Sequence, residues 1–212
     1  MDLPIKNSKL KLIYFNVRGR GELIRFVLYA AEKDFEDSRI RDTDWPTLKP
    51  KMPFQQLPVL EVTPPGGQTV QLTESLAITR LLARTFNMYA NTPEEIYLIE
   101  RMISLAATLQ EEIYGLHLKR AGDVKKLIES DHLMEYMDAI QMALKEKKGN
   151  FVTGANVTLA DLQVVLLVDT MDKFLGHIDH ECKQGLAAIR ADVLKAKPKL
   201  ANYLRTRPNT EL

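Results

Sequence analysis

The stretch "KLIYFNVRGRGELIR", residues 11–25, places a tyrosine at the end of a short apolar segment, directly before an arginine-rich turn and a helical pattern. A glycine loop that cradles phosphate is excluded, because Gly19 and Gly21 supply only two glycines of a G-x-G-x-x-G motif and residue 24 is isoleucine. Two interpretations of Tyr14 stay open here. It is either a buried aromatic residue that ends a strand, which is the commoner case, or a hydroxyl that faces a ligand cleft.

The sequence around this stretch predicts a mixed α/β domain. Residues 10–15 alternate and then become wholly apolar, as in a strand that enters a covered sheet, and residues 22–31 have apolar positions at helical spacing. A strand at 34–40 completes a parallel β-α-β unit with a right-handed crossover. The remaining elements are a short helix, a hairpin with a Pro/Gly turn and a longer helix, at residues 43–49, 58–72 and 74–86. The predicted order is therefore β-α-β-α-β-β-α.

Strand patterns end after residue 86, and the rest of the chain predicts helices only. Residues 93–120 have an apolar stripe at helical spacing, and residues 157–175 are nearly all apolar, which predicts a buried central helix. Thr158 and Asp161 fit a capping box at its start. The chain thus divides into a mixed domain at 1–86 and an all-helical domain at 92–212.

Composition excludes several classes of function. The chain has 212 residues, a formal net charge of +1 and one cysteine, Cys182. The balanced charge argues against nucleic acid or an acidic membrane surface as partner, and no apolar run reaches membrane-spanning length. A single cysteine permits no intramolecular disulfide, which favours a cytoplasmic protein. The absence of a Cys-x-x-Cys motif argues against a thioredoxin-type redox protein. His177, His180 and Cys182 match no zinc-binding spacing, so we expect no metal there.

Two pairs of residues permit either a structural or a binding role. Pro58 must begin its strand, because proline cannot donate within a ladder, and a cis bond after Leu57 would turn the Leu57 backbone toward an extended peptide. Glu74 and Ser75 open a helix, where they serve as a cap or as the helix end that holds a ligand carboxylate. Residue types alone favour the structural role for both pairs.

Longer motifs, taken together, resemble the sigma class of the cytosolic glutathione transferases, a class that includes a glutathione-dependent prostaglandin D synthase. The matching motifs are "YFNVRGRGELIR" at 14–25, "DWPTLKPKMPFQQLPVLEV" at 44–62, "ESLAITRLLA" at 74–83, "VTLADL" at 157–162 and "RPNTEL" at 207–212. The resemblance implies a thioredoxin-like N-terminal domain, an all-α C-terminal domain, a homodimer and glutathione as co-substrate.

The resemblance also implies roles for single residues. Tyr14 would donate a hydrogen bond to the glutathione sulfur, with Arg20 beside that pair. Trp45 and Lys49 would meet the glycine carboxylate of glutathione, and the Leu57 backbone would pair with its cysteinyl unit. The implied glutathione-binding residues are Tyr14, Arg20, Trp45, Lys49, Gln56, Leu57, Pro58 in cis, Glu74 and Ser75.

The chain departs from the family pattern at several positions. Relatives commonly place an acid of the partner subunit near the ligand ammonium, where this chain has Thr108. The missing acid predicts weaker glutathione binding unless the charge of Glu74 compensates. Gln56 stands where relatives often have lysine or arginine. The prostaglandin synthase binds magnesium through acids whose positions are not acidic here, which predicts no magnesium effect. Those positions are Ser104, Ala107 and Thr108.

The electrophile pocket implied by the resemblance is lined by apolar or small residues and two polar side chains, which suits hydrophobic electrophiles. Its predicted residues are Phe15, Val17, Gly19, Gln110, Tyr114 and Leu212.

The resemblance therefore predicts an enzyme that conjugates glutathione to hydrophobic electrophiles, with isomerisation of prostaglandin H2 to D2 as a further activity of the class. The alternative is a weakly active structural or ligand-carrying protein of the same fold. Retention of the matching residues from Tyr14 to Ser75 argues against that alternative.

Overall fold

The strand that contains Tyr14 is an inner strand of a mixed sheet in the computed structural model, which describes residues 3–118, 127, 130–176 and 178–210. The sheet has the order β2-β1-β3-β4, with β1 parallel to β2 and antiparallel to β3, and β3 antiparallel to β4. The strands are β1 (Lys9–Phe15), β2 (Glu36–Ile40), β3 (Val59–Thr63) and β4 (Val70–Leu72).

Three helices alternate with these strands and complete the predicted order β-α-β-α-β-β-α. They are α1 (Glu22–Ala30), α2 (Trp45–Leu48) and α3 (Ser75–Thr85). Helix α1 is buried along all its residues except Tyr29, which makes it the central helix of this part of the chain. The thioredoxin-like fold predicted for the N-terminal part is confirmed.

The chain forms two compact units, Met1–Asn87 with Lys197–Leu212, and Met88–Ala196. This division differs from the predicted one in the last segment, because helix α8 (Pro198–Thr206) packs on α1 and belongs to the first unit. The ring of Tyr203 in α8 stacks on Tyr29, with centroids 4.2 Å apart, and meets Phe26 edge to face at 6.3 Å. A helical pattern predicts a buried face but does not say which neighbour covers it.

The second unit contains α4 (Pro93–Leu118), α5 (Asp131–Lys145), α6 (Leu159–Phe174) and α7 (Cys182–Ala196). Helix α6 packs against both α4 and α7, and its first nine residues are all buried, as the sequence predicts for a central helix. The predicted capping box is present at its start. The Asp161 carboxylate accepts hydrogen bonds from the Thr158 N–H and hydroxyl at 2.8 and 2.7 Å and from the Val152 N–H at 2.7 Å.

Candidate functional site

Tyr14 lies near the end of β1 with 7% of its surface exposed, and its hydroxyl is part of the turn that follows the strand. The backbone N–H of Arg20 donates a hydrogen bond to the Tyr14 oxygen at 3.0 Å. A phenol that accepts from an amide can still donate its own proton, and the accepted bond polarises it as a donor. The Tyr14 ring is therefore packed against the turn. Tyr14 is not among the residues that line the groove described below, and its role as a hydroxyl that faces a ligand stays a prediction.

The two glycines of the turn allow the Tyr14 ring to lie against the backbone. A Cβ on Gly21 would stand 2.5 Å from Tyr14 Cδ1, and a Cβ on Gly19 would stand 2.7 Å from the Tyr14 oxygen. Gly19 also has φ +40°, a conformation that other residues rarely adopt. The Gly-Arg-Gly sequence is thus explained by close packing with an aromatic ring, a reason that the sequence did not reveal.

Arg25 of α1 lies under the same turn and is fully buried. Its guanidinium carbon is 5.8 Å from the centroid of the Tyr14 ring, within range of a cation–π interaction, and its Nη1 donates to the Val17 carbonyl at 2.9 Å. Burial opposes the charge of Arg25, but the carboxylates of Glu22 and Asp37 raise its pKa above the ordinary value. The Arg25 guanidinium is therefore permanently charged and lies against the Tyr14 ring in the protein interior.

A groove in the first unit brings together six of the predicted glutathione-binding residues. The Leu57–Pro58 peptide bond at this groove is cis, as the resemblance implies. The groove has exposed polar side chains at Arg20, Gln56 and Glu74. The lining residues are Arg20, Phe54, Gln56, Leu57, Pro58, Thr73, Glu74 and Ser75.

Three non-glycine residues at or beside this groove have positive φ angles. Glu74 has φ 66° and ψ 102° directly before the first residue of α3, and Phe54 and Gln55 have φ 52° and 54°. Each such conformation costs on the order of 1–3 kcal/mol and is concentrated at ligand sites. Nothing in the residue types at these positions indicates positive φ angles, because such angles are normally marked by glycine or asparagine.

Trp45 and Lys49 lie around α2 and are not among the residues that line the groove. Trp45 meets the Phe15 ring edge to face at 5.3 Å, and Phe15 meets Tyr14 in the same way at 5.7 Å. Lys49 is exposed directly after the helix. The aromatic chain links the predicted glycine-end residue Trp45 to Tyr14 through Phe15.

The predicted electrophile-pocket residues are distributed over both units. Phe15, the last residue of β1, and Val17 after it are half-buried, whereas Gly19 is buried next to Tyr14. In the helical unit, Gln110 and Tyr114 are buried, with the Gln110 Nε2 donating to the Tyr114 hydroxyl at 2.8 Å. The Gln110 oxygen also accepts from Gln163 at 2.8 Å. Their role in an electrophile pocket stays a prediction, and Leu212 lies outside the described residues.

Four further observations concern the cysteine, metal binding, membrane-spanning helices and Thr108. Burial raises the pKa of the Cys182 thiol to about 12, so this cysteine is not a nucleophile near neutral pH. Within the described part of the chain, no cluster of three or more His, Cys, Asp or Glu side chains could hold a metal ion, and His177 lies outside that part. None of the described helices combines the length and hydropathy needed to cross a membrane. The Thr108 hydroxyl on α4 donates to the Ser104 carbonyl at 2.8 Å and is exposed.

Comparison with known proteins gives consistent matches over nearly the whole chain. The family described as "Glutathione S-transferase, N-terminal domain" matches residues 10–84, and the one described as "Glutathione S-transferase, C-terminal domain" matches residues 110–207. The chain is 38% identical to a glutathione S-transferase class-mu 28 kDa isozyme of Schistosoma japonicum, over 95% of this chain and 99% of the relative. It is 32% identical to the human hematopoietic prostaglandin D synthase, over 95% and 97% of the two chains. Among solved structures, a sigma class GST of Fasciola hepatica superposes with a TM-score of 0.89 at 31% identity, over 97% of this chain and all of the other.

Proposed function

The chain belongs to the glutathione S-transferase family, and on that premise we propose how its own residues carry out the transfer of glutathione to an electrophile. The family reaction needs the glutathione sulfur as a thiolate. A thiol with a pKa near 8.5 is only about 3% ionised at pH 7. A decrease of ~2 pKa units raises the ionised fraction to roughly three quarters and requires ~2.7 kcal/mol.

The Tyr14 hydroxyl supplies this stabilisation by donating a hydrogen bond to the sulfur while keeping its proton. One or two hydrogen bonds to a charged acceptor contribute ~1.5–3 kcal/mol each, which covers the requirement. The single observation that supports the proposal is the hydrogen bond from the Arg20 N–H to the Tyr14 oxygen, because it orients the phenol and strengthens it as a donor. Phenols ordinarily keep their proton at pH 7, so the hydroxyl can donate a hydrogen bond to the thiolate.

The groove that begins at Arg20 holds the peptide part of glutathione. We assign the cysteinyl unit to the Leu57 backbone, and the γ-glutamyl end to Glu74 and Ser75. Ser75 is the first residue of an eleven-residue helix, whose positive end favours the γ-glutamyl carboxylate, and Glu74 is exposed beside it to meet the ammonium group. We assign the glycine carboxylate to Trp45 and Lys49, as the resemblance implies.

The test of this proposal is the variant Tyr14→Phe. We expect glutathione binding to stay nearly intact and turnover of a chlorinated aromatic electrophile to fall at least ~10-fold, the loss expected from ~1.4 kcal/mol. Tyr97→Phe is the matched control, because it removes the same atom from an exposed tyrosine of the helical unit. Parental turnover in Tyr14→Phe would remove Tyr14 from the mechanism.

A second activity, the isomerisation of prostaglandin H2 to D2, is favoured by the 32% identity to a hematopoietic prostaglandin D synthase. An assay with glutathione and prostaglandin H2 separates the two reactions, because conjugation consumes glutathione and isomerisation returns it. Binding to immobilised glutathione without turnover of any electrophile would instead favour a structural or carrier protein.

We further propose that the active form is a cytoplasmic homodimer that needs no metal. The homodimer follows from the resemblance. We expect the partner subunit to cover Phe54, whose side chain is exposed on the surface of the first unit. The metal-free reaction follows from the residues that replace the magnesium-binding acids, Ser104, Ala107 and Thr108. Unchanged activity on addition of magnesium is the expected result.

A further inference from the structure

A buried ionic cluster lies inside the first unit, behind the turn that holds Tyr14. The Glu22 and Arg25 side chains are both fully buried and paired at 3.0 Å, and Arg25 Nε pairs with Asp37 at 3.0 Å. Arg39 pairs with the same Asp37 at 2.8 Å. Burial of an ion pair does not by itself imply that the pair stabilises the fold, because the cost of desolvation opposes the attraction between the charges. The presence of this cluster therefore needs a reason other than stability.

The C-terminal segment supplies the remaining members of this cluster. Arg207 Nη1 donates to Glu22 Oε1 at 2.7 Å, with 6% of the Arg207 side chain exposed. The Tyr203 hydroxyl donates to the Glu22 carboxylate at 3.0 Å and accepts from Arg39 Nη2 at 3.2 Å. Burial raises the pKa of Tyr203, and the Glu22 carboxylate raises it further, so this hydroxyl stays protonated. The neighbouring Tyr29, stacked on Tyr203, has a raised pKa for the same reason of burial.

Arg25 connects the cluster to Tyr14. Its guanidinium carbon is 5.8 Å from the centroid of the Tyr14 ring, and its Nη1 donates a hydrogen bond to the Val17 carbonyl of the turn at 2.9 Å. Among the described residues, its Nη2 has no hydrogen-bond partner although it is buried. The direction of the Arg25 side chain therefore depends on Glu22 and Asp37, and the Glu22 carboxylate depends in turn on Tyr203 and Arg207.

The cluster carries net positive charge. Among the described side chains, three guanidinium groups face two carboxylates, an excess of one positive charge over the whole cluster, and Arg25 is the member that lies against the Tyr14 ring. A buried charge acts through a medium of low effective dielectric constant and is screened much less than a surface charge. Such a potential favours the ionised form of any thiol that is bound at the Tyr14 hydroxyl.

We propose that Arg207 and Tyr203, at the far end of the chain, are positioning residues that help to set the acidity of the bound glutathione thiol. They act by fixing Glu22 and through it Arg25, and Arg207 also provides the charge that leaves the cluster positive. This inference rests on the proposed role of Tyr14 as donor to the glutathione sulfur.

The test measures the thiol pKa of bound glutathione from the ultraviolet thiolate absorbance between pH 5 and 9, together with the pH profile of kcat/KM. For Arg207→Gln we expect the thiol pKa to rise by at least ~0.5, which lowers kcat/KM below that pKa about 3-fold. The plateau at high pH and the KM for glutathione should stay at parental values. Arg207→Lys keeps the charge and should restore most of the shift, and Tyr203→Phe should raise the pKa in the same direction.

The matched control is Lys199→Gln, which removes a single positive charge from helix α8, the helix that Arg207 directly follows, but from an exposed pair with Glu32 at 3.5 Å. We expect it to leave the thiol pKa unchanged, and an equal rise would show a general charge effect and overturn the proposal. A lower melting temperature with a parental thiol pKa in Arg207→Gln and Tyr203→Phe would also overturn it, since the cluster would then be structural only. If Arg207→Gln does not fold, Tyr203→Phe and Arg207→Lys decide the question.

The failure of the underlying function gives a different result. The role of Tyr14, and this inference with it, would be wrong if the parental protein shows no ultraviolet thiolate absorbance band when glutathione binds. The same holds if the Tyr14→Phe variant keeps that band. A band that is lost in Tyr14→Phe and unaffected in Tyr203→Phe and Arg207→Gln would overturn only the role of the cluster.

Discussion

The ring of Tyr14 packs so closely on the following turn that only glycine fits at residues 19 and 21 without movement of the ring. The sequence predicted a tyrosine at the end of a strand, because apolar alternation is visible in residues 10–15. It could not show that Gly19 and Gly21 are required by the ring, since glycine also marks ordinary turns. Nor could it show the positive φ of Glu74, where a charged residue occupies a conformation usually left to glycine.

The variant Gly21→Ala tests this packing. Because the new Cβ would stand 2.5 Å from Tyr14 Cδ1, the ring must move, and we expect a loss of about 1–3 kcal/mol in unfolding free energy. Displacement of the hydroxyl should also lower kcat at least ~10-fold. Denaturant unfolding and steady-state kinetics measure the two effects.

Gly115→Ala is the control for that variant. Gly115 lies within α4, and no described atom is within 4 Å of the position of its added Cβ. Alanine there should be neutral or stabilise by up to about 1 kcal/mol, through helix propensity. Equal stability and activity in Gly21→Ala and the parental protein would contradict the close packing.

Among the helices, α6 shows the clearest agreement between sequence and structure. A capping box and a long apolar run are both local signals, and both are present where they were predicted. Helix α8 shows the opposite case, because its contacts with α1 depend on residues more than 170 positions away in sequence. Local periodicity contains no information about such partners.

Removal of the Asp161 carboxylate should destabilise the helical unit strongly. Asp161→Ala leaves the buried N–H groups of Val152 and Thr158 without their acceptor, at about 1–3 kcal/mol for each group. We expect a total loss of about 3–5 kcal/mol in urea unfolding. Asp131→Ala, an exposed acid in the first turn of α5, should cost no more than about 1 kcal/mol. Similar losses in the two variants would contradict this assignment.

Helices α4 and α5 are joined by an ion pair that should respond to pH. His132 Nε2 contacts Glu112 Oε1 at 3.0 Å, and the hydrogen bond to that carboxylate raises the pKa of His132. Since the folded pKa is the higher one, the pair stabilises fully below about pH 6.5 and loses its effect as the pH rises through the folded pKa.

Melting temperatures of the parental protein and of His132→Gln, measured from pH 5.5 to 8.5, check this direction. The parental protein should be the more stable at acid pH, and the difference should shrink toward alkaline pH. Glu112→Gln should show the same pH dependence as His132→Gln. A difference that grows with pH would mean that the pair has been assigned the wrong sign.

For the molecule as a whole, the sequence predicted the fold class and the mixed sheet followed by helices, both of which are confirmed, whereas Tyr14 as the main site residue stays a prediction. It did not predict that Lys197–Leu212 counts with the first unit. It also missed Phe54 and Thr73 as lining residues of the groove, because neither residue type signals a binding role by itself.

The proposed homodimer predicts a particle of twice 24.2 kDa in sedimentation. Phe54 is 76% exposed, so replacement by serine should leave the fold intact and weaken self-association. Met142→Ser is the control, because Met142 is 68% exposed on α5 in the other unit. A parental protein that sediments as a single chain at micromolar concentration would contradict the prediction.

The pairing of Glu22 with Arg207 spans 185 residues, and this has a consequence for biosynthesis. At about 5–20 residues per second, a ribosome needs on the order of 10–40 s to pass from the first of these codons to the second. Throughout that time the Glu22 carboxylate of the nascent N-terminal part has Arg25 but lacks Arg207 as a partner. This pairing therefore cannot form before Arg207 has been synthesised, however early the rest of the N-terminal part folds.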